Sequence, residues 1–195
     1  MSKLSIAHLI EEFYPEYYLW CEYPAEECVC IRSVKDEWGV LCNFGDTPLT
    51  LNGVTFRNAE QLFQMMKFRD PVVLQDIYSA NGQTIKMKAK KYMRADMARE
   101  DWGSMIVDAM KFCLQTKYNQ RPEFKEALAQ TSGKIIVEDQ TTFPKKTADT
   151  WGAKRKEDKF IGPNLLGRLL MELRDNGRLE YVLPDDALDF TALIS

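Results

Sequence analysis

The segment from Leu49 to Asp70 constrains the fold of this chain more than any other. Asn52-Gly53 lies between two alternating apolar runs in "LTLNGVTF", which predicts a β-hairpin with a two-residue turn. The residues that follow, "RNAEQLFQMMKF", carry apolar side chains at helical spacing, and Asn58 is placed to cap the predicted helix. A hairpin that leads directly into an amphipathic helix indicates a mixed α and β structure.

Helical patterns dominate the rest of the chain. "PVVLQDIYSA" predicts a helix that ends near Asn81, the basic stretch 84–94 predicts another, and "DWGSMIVDAMKFCLQTKY" predicts a long amphipathic one. Pro122 and Pro163 are each placed to begin a further helix. Short strands are predicted for "CVCIRSV", "KIIVE" and "LEYVL", and residues 139–162 are predicted to form a long loop. We therefore expect an α+β fold, mostly helical, with a small antiparallel sheet.

Composition indicates a globular protein outside the membrane. The 195 residues are 45% hydrophobic and 28% charged, which is ordinary for a globular domain with a substantial core. No apolar run approaches the roughly 18 residues that a membrane span needs. The first residues, "MSKLSIAHLIEEF", lack the apolar stretch and cleavage site of a signal peptide. A cytoplasmic location is the expectation.

The single histidine limits the chemistry that the chain can perform. Catalysis of the Ser-His-Asp or Cys-His type would have to use His8, so any acid–base chemistry is expected from carboxylates, lysine or tyrosine. The cysteines lack the spacing of a zinc site and are expected to be reduced and mostly buried, without a bound metal. They are Cys21, Cys28, Cys30, Cys42 and Cys113.

Charge is distributed unevenly along the chain. Residues 1–30 carry six acids and one base, and residues 175–195 carry five acids and one base, although the overall net charge is only −3. The excess of bases between them is concentrated in Lys86–Arg94 and Lys154–Lys159. These clusters are either solvated surface or a positive rim around a site for phosphates.

Glu60 and Lys67 are the first candidates for a functional site. They are nearly two helical turns apart, so they share one face of the predicted helix, and Gln64 lies between them on that face. The alternative is an exposed glutamate in the first turn and an unrelated surface lysine.

The order of motifs along the chain resembles the NADAR family, also called YbiA-like. The resemblance runs from about Asn43 to Arg174, some two-thirds of the chain. Asp149 departs from the pattern because it stands two residues before Trp151, where the family has three. Further departures are Cys42, Ala59 and Gln61. The matching positions are Asn43, Phe44, Glu60, Gln64, Lys67, Phe68, Trp102, Trp151, Gly152, Gly162, Asn164, Leu166, Gly167, Met171 and Arg174.

The resemblance implies a single YbiA-like catalytic domain over residues 31–183, with an N-terminal extension at 1–30 and an acidic tail at 184–195. It also implies hydrolysis of the C–N bond between a ribose and a nitrogen heterocycle, without a cofactor. Two substrate classes are associated with the family: ADP-ribose attached to guanine bases, and phosphorylated intermediates of riboflavin synthesis.

The resemblance also assigns roles to residues. Glu60 is expected to stabilise positive charge on the sugar, with Asp149 as its partner or as the base that handles the proton. Lys67 is expected either to pair with a phosphate or to attack a ring-opened sugar as a Schiff-base nucleophile. Trp102 and Trp151 either stack on a base or pack in the core. The substrate-binding candidates are Asn43, Phe44, Gln64, Trp102, Trp151, Gly152, Asn164 and Arg174.

The preferred hypothesis is an N-glycosidase that removes ADP-ribose from guanine in nucleic acid, with DNA the expected polymer. Such an enzyme would act opposite an ADP-ribosyltransferase and reverse a toxin or damage. The first alternative keeps the fold and acts on a small nucleotide-like riboflavin intermediate. The second is a non-catalytic module that binds ADP-ribose, which would not need both Glu60 and Lys67.

Overall fold

The computed structural model describes residues 5–194, which divide into two compact units. The first unit combines residues up to Cys42 with Pro122–Leu179. The second combines Asn43–Arg121 with the residues from Glu180 onward. Each unit is therefore built from two stretches that are distant in the sequence. Within the described residues, no helix has the length and apolar character needed to cross a membrane.

Two small sheets form the β part of the first unit. One is antiparallel, with β7 (Lys159–Gly162) between β1 (Cys21–Pro24) and β6 (Lys154–Lys156). The other pairs β2 (Cys28–Ile31) with β5 (Ile135–Glu138) in parallel. The strands expected at "CVCIRSV" and "KIIVE" are confirmed, but their pairing is parallel rather than antiparallel. About a hundred residues separate them, far more than a parallel crossover requires.

Three α-helices lie among the described residues of the first unit. They are α1 (Ile6–Phe13), α6 (Pro122–Gln130) and α7 (Leu165–Asn176). Helix α6 begins at Pro122, as predicted. Helix α7 begins two residues later than expected from Pro163, because Asn164 is the N-cap residue with φ 50°.

Two further expectations about secondary structure are wrong. Residues 139–162 are not a structureless loop, because they contain β6 and β7. Strand β6 could not be recognised in the sequence, because its three residues are all charged and show no apolar alternation. It lies at the edge of the sheet, where two of these residues are exposed. Residues 179–183, "LEYVL", were predicted as a strand and instead have irregular structure.

The second unit begins with the predicted hairpin. Strands β3 (Leu49–Leu51) and β4 (Val54–Phe56) pair antiparallel. Asn52 and Gly53 both have positive φ, 50° and 81°, as a two-residue hairpin turn with the twist of the strands requires. The hairpin is therefore confirmed.

Helix α2 (Ala59–Met65) follows the hairpin and is the central element of the second unit. The Asn58 side chain accepts a hydrogen bond from the backbone N–H of Gln61, so the predicted cap is confirmed. Helices α3 (Pro71–Tyr78), α4 (Gly82–Arg94) and α5 (Trp102–Gln120) each pack against α2. Every residue of α2 is consequently buried, including its polar ones.

These elements confirm the α+β class with helices in the majority. The bounds predicted for the N-terminal extension, the catalytic domain and the acidic tail stay predictions. Strand β1, from the predicted extension, pairs with β7 in the first unit.

Helix α7 approaches β5 so closely that only glycine fits at one position. A Cβ atom on Gly167 would lie 2.1 Å from the backbone oxygen of Ile136 and 2.6 Å from the side-chain amide of Asn164. Gly177, at the other end of the same helix, has φ 71° but no atom within 4 Å of the added Cβ.

These two glycines give a test of the α7 packing. Replacing glycine by alanine in a helix interior normally raises the stability of the protein by about 0.5–1 kcal/mol. A Gly167→Ala protein that is more stable than the original would therefore contradict the close contact of Gly167 with Ile136. We expect Gly167→Ala to lower the free energy of unfolding by about 3 kcal/mol, because a backbone carbonyl cannot move aside. Gly177→Ala, the control, should cost only about 1 kcal/mol of backbone strain. Urea denaturation of both variants measures the difference.

Candidate functional site

Three polar side chains of the α2 segment are buried side by side. Glu60, Gln64 and Lys67 are only 6%, 4% and 8% exposed. They stand at helical spacing, and although α2 ends at Met65, Met66 keeps a helical conformation and carries the spacing on to Lys67. We call these three residues the α2 triad. Their burial rules out the alternative of an exposed glutamate and an unrelated surface lysine.

The α2 triad is joined by two hydrogen bonds. The Nε2 atom of Gln64 donates to Oε1 of Glu60 at 2.8 Å, and Nζ of Lys67 donates to Oε1 of Gln64 at 2.6 Å. The Gln64 amide therefore lies between the carboxylate and the amine and fixes the position of both. The sequence predicted the shared face, and the structure shows that its members are in contact through Gln64.

Two aromatic rings complete the surroundings of Lys67. Its Nζ atom lies 4.9 Å from the ring centre of Phe63 and 5.3 Å from that of Trp102. Burial lowers the pKa of Lys67 from its ordinary value to about 8; Glu60 opposes this shift and Lys86 adds to it. A lysine with such a pKa has a neutral, nucleophilic fraction of about one in ten at pH 7, compared with about one in 3,000 for an ordinary lysine.

Phe63 was not among the predicted site residues, although its position contained the signal. It precedes Lys67 by four residues and therefore lies on the same helical face. Because its side chain is apolar, the sequence pattern placed Phe63 among the residues that face the core. Phe63 does belong to the core, being 4% exposed, and it lines the Lys67 environment as well.

Asn43 lies against the first turn of α2. Its backbone oxygen accepts a hydrogen bond from the backbone N–H of Glu60 at 3.0 Å. Its Nδ2 atom lies 3.3 Å from the sulfur of Met110, and its buried Oδ1 atom has no hydrogen-bond partner among the described residues. An acceptor that is buried and unpaired costs about 1–3 kcal/mol unless a donor satisfies it. The Oδ1 atom of Asn43 is therefore an unsatisfied acceptor, and its predicted contact with the substrate stays a prediction. Phe44 contributes its backbone oxygen to the side chain of Asn58, and its predicted substrate contact also stays a prediction.

Trp102 packs in the core rather than presenting a free face. It is 4% exposed, and its ring lies 5.3 Å from that of Phe63 at an interplanar angle of 60°. Of the two alternatives for Trp102, the structure supports packing. Its contact with Lys67 nevertheless places it at the site.

The other predicted residues belong to the first unit. Asp149 is held by its neighbours, because its Oδ1 atom accepts from Nε2 of Gln140 at 2.5 Å and from the backbone N–H of Trp151 at 3.0 Å. Gln140 also accepts from the backbone N–H of Asp149 at 2.8 Å. The carboxylate therefore has a fixed direction, and its catalytic role stays a prediction, as does the substrate contact of Trp151.

Three predicted substrate ligands have structural contacts in the first unit. Asn164 is fully buried and ties the start of α7 to β5 through the backbone of Ile136 and Glu138. Arg174 donates to the backbone oxygens of Thr131 and Lys134. Gly152 is required by close packing, since an added Cβ would lie 2.5 Å from the oxygen of Glu138. All three residues make contacts with other residues of the first unit, and their predicted substrate contacts stay predictions.

The cysteines are free thiols, and one expectation about them is wrong. Only Cys113 is buried, whereas the other four are half-buried. Burial raises the pKa of Cys28 to about 11 and also raises the pKa values of Cys30 and Cys113, so these three are protonated at neutral pH. In the part of the chain that is described, no three His, Cys, Asp or Glu side chains are grouped so that they could hold a metal ion.

Comparison with known proteins agrees with these features. A family model described as the NADAR domain matches residues 31–178. The N-glycosidase YbiA of Escherichia coli K12 is 28% identical over 148 residues, which are 76% of this chain and 87% of that protein. A riboflavin biosynthesis protein of Vibrio vulnificus is 25% identical over 152 residues, 77% of this chain and 38% of that protein.

A solved structure supports the same relationship. The NMR structure of E. coli YbiA matches with a TM-score of 0.61 and 27% identity, covering 76% of this chain and 83% of that one. The family model spans the α2 triad and Asp149, so the resemblance first seen in the motifs is confirmed. The chain belongs to the NADAR family and is a hydrolase of N-glycosyl compounds.

Proposed function

We propose that this N-glycosidase removes ADP-ribose from guanine bases of nucleic acid, with DNA as the polymer. The observation that carries the proposal is the buried α2 triad, in which a carboxylate and an amine of lowered pKa are held by one amide. The enzyme would then act opposite an ADP-ribosyltransferase and reverse the product of a toxin or of damage. A non-catalytic ADP-ribose-binding module is set aside, because the chain is a hydrolase.

Glu60 is suited to the charge that develops in the reaction. Cleavage of a ribosyl C–N bond leaves the electron pair on the base nitrogen and builds positive charge on the anomeric carbon. A carboxylate beside that carbon stabilises the charge most strongly where water is excluded. Glu60 is 6% exposed, and Gln64 holds one of its oxygens in place.

Lys67 provides a nucleophile for a covalent route. When the ribose ring opens, C1 stays joined to the base nitrogen as an iminium, and a neutral lysine amine can add to it. The base then leaves from C1 with the electron pair of the broken C–N bond and a proton, and water hydrolyses the resulting lysine imine. The lowered pKa of Lys67 supplies the neutral amine near physiological pH. Gln64 and the two rings restrict where Nζ can point, which favours attack geometry.

Asp149 is proposed as the partner of Glu60 or as the base that handles the proton. Its Oδ1 atom already accepts two hydrogen bonds, so the carboxylate keeps a defined orientation. A carboxylate that is already oriented can accept a proton without a further loss of conformational entropy. Both roles are compatible with hydrolysis that uses water alone.

The nucleic-acid substrate is supported by the charge of helix α4. This helix carries Lys86, Lys88, Lys90, Lys91 and Arg94 and no acidic residue. It packs against α2, and Lys86 is near enough to lower the pKa of Lys67. A basic helix beside the site is suited to contact a phosphate backbone or a pyrophosphate.

The second candidate substrate is a phosphorylated intermediate of riboflavin synthesis. It is favoured by the name of the riboflavin biosynthesis protein of Vibrio vulnificus to which this chain is similar. Incubation of the purified protein with an ADP-ribosylated guanine oligonucleotide and, separately, with riboflavin intermediates decides between the two. Release of ADP-ribose supports the proposal, and release of base from the intermediates alone contradicts it.

Glu60→Gln is expected to lower kcat at least about a hundredfold, because it removes charge stabilisation in the transition state. The isosteric amide should leave the melting temperature nearly unchanged. Steady-state kinetics on the preferred substrate measure the effect, with Glu100→Gln, an exposed residue, as the matched control. A folded Glu60→Gln protein with the kcat of the original enzyme would remove Glu60 from the mechanism.

Lys67 is expected to act as the neutral amine. Since the neutral fraction grows as pH rises, kcat/KM should increase through about pH 8 and level off above it. Borohydride added during turnover should attach the ADP-ribose mass to the Lys67 peptide, as seen by mass spectrometry. Lys67→Arg should lose both adduct and activity, because a guanidinium keeps the charge but is a poor nucleophile.

The control for this test is Lys125→Arg, at an exposed position of α6, which should keep both adduct and activity. If Lys67→Arg turns over well and the original enzyme gives no adduct, Lys67 is a phosphate clamp and the carboxylates carry the hydrolysis alone.

Salt is expected to separate the two substrate classes. Activity on a modified oligonucleotide should fall steeply between low and high salt, because contacts to phosphates release counterions. Activity on a small substrate should hardly change. Lys90→Ala with Lys91→Ala should flatten the salt dependence on the oligonucleotide, and Lys125→Ala on α6 serves as a control outside α4. A flat response of the original enzyme on DNA would favour the metabolite.

A further inference from the structure

The C-terminal segment, residues 180–194, lies outside the range of the matched family model, which ends at residue 178. It belongs to the second unit and packs there through rings, ion pairs and a hydrogen bond. The contacts are Tyr181 with Phe112, Asp186 with Arg69 and Arg99, Phe190 with Phe56, and Thr191 with Asn52. This chain therefore adds material to the unit that contains the α2 triad.

Lys67 is held by an irregular piece of backbone rather than by a helix. Helix α2 has ended at Met65, and the Lys67 oxygen accepts a hydrogen bond from the backbone N–H of Arg99 at 2.9 Å. Phe68 and Ala98 pair next to it as an isolated antiparallel bridge. We call residues 67–69 and 97–99 the Lys67 bridge. A pairing this short has little stability of its own.

One side of the Lys67 bridge borders open space. A cleft of about 460 Å³ is lined by residues of both its segments, among them Arg69, Met97 and Arg99. Apolar packing therefore does not secure the bridge on that side. The side chains of Arg69 and Arg99, one from each segment, extend from it.

Asp186 connects these two arginines. Its Oδ1 atom accepts from Nη2 of Arg99 at 2.7 Å, and its other oxygen accepts from Nη2 of Arg69. The Arg99 side chain is only 2% exposed and also forms a two-pronged pair with Asp101, at 2.6 and 2.8 Å. A buried guanidinium with two carboxylate partners has a well-defined position.

We infer that Asp186 is a positioning residue for Lys67: its carboxylate joins Arg69 to Arg99 and so holds the segment that contains Lys67 to the segment paired with it. Asp101, which pairs with Arg99 and whose Oδ2 atom lies 3.9 Å from Nη2 of Arg69, supports the same junction. This inference rests on the proposed role of Lys67 as the reacting amine. The C-terminal segment is then part of the machinery that aims Nζ at the substrate, although Asp186 itself touches no reacting atom.

Asp186→Asn is the informative substitution. Asparagine has a similar shape but loses the charge, and Arg99 keeps its pair with Asp101, so no bare charge is left buried. The Lys67 bridge should loosen while the fold remains. Nζ would spend less time between Gln64 and the two rings and more time in water, so its pKa should rise towards the ordinary lysine value. Glu60 and Lys86, the charged groups that act on Lys67, are unchanged in this variant.

The experiment measures activity and titration in the same proteins. Steady-state kinetics give kcat and KM, and ¹³C NMR of lysine labelled at Cε gives the titration of Lys67, assigned by its loss in Lys67→Arg. We expect Asp186→Asn to lower kcat about tenfold with KM changed by less than about twofold. The titration of Lys67 should move to higher pH. Asp186→Glu should recover part of both, and Asp185→Asn, the exposed neighbour, should change neither.

Each outcome has a defined meaning. An Asp186→Asn protein with unchanged kcat and unchanged Lys67 titration overturns the inference. A lowered melting temperature and lowered activity with an unchanged titration also overturns it, because Asp186 would then be merely structural. If Lys67→Arg is fully active, the proposed catalytic role fails by itself. The titration in Asp186→Asn still decides whether Asp186 positions Lys67.

Discussion

Burial of the Lys67 amine is the interaction on which the rest of the site depends. Lys67 as a residue is only 8% exposed, so its ammonium group loses hydration, and this loss lowers the pKa of Lys67 to about 8. The Gln64 oxygen and the faces of Phe63 and Trp102 replace part of the lost water. This replacement is incomplete, so the neutral amine is accessible near physiological pH. The same environment therefore destabilises the charged form and prepares the nucleophile.

The surrounding helices make this burial possible. Helix α2 is enclosed by α3, α4 and α5, so its polar residues cannot turn towards bulk water. Gln61 shows the same constraint, because its amide is fully buried and donates to the backbone oxygens of Ile77 and Tyr78. Gln61, one of the departures from the family motif, thereby joins α2 to α3. The departure from the motif at this position thus has a structural role.

Sequence reasoning reached the local features and missed those that depend on distant contacts. The Asn52-Gly53 turn, the Asn58 cap and the shared face of Glu60 and Lys67 follow from neighbours within a few residues. The burial of the α2 triad could not be predicted from these neighbours. A helix with one apolar and one polar face normally lies at the surface, and only the three helices that enclose α2 bury its polar face. Strand β6 was missed because its exposed edge carries only charged residues.

The roles of single residues were hardest to predict where a side chain serves the fold. Asn164 and Arg174 match the family motif, yet both bind backbone groups across the first unit. Asp186 carries no motif and lies about 120 residues from Arg69 in the sequence, but contacts it in space. Neither the backbone contacts of Asn164 and Arg174 nor the contact of Asp186 with Arg69 can be predicted from the spacing of residues along the chain.

The discontinuous make-up of both units has a consequence for how the protein reaches its native state. Strand β1 pairs with β7 and β2 pairs with β5, so the first unit must close loops of more than a hundred residues before its sheets form. The second unit likewise waits for residues after Glu180. During synthesis on the ribosome, the first unit stays incomplete until Leu179 has emerged, and the second stays incomplete until the residues from Glu180 onward have followed. Contacts this distant in sequence slow folding, because the entropy of closing long loops is lost before the contacts can form.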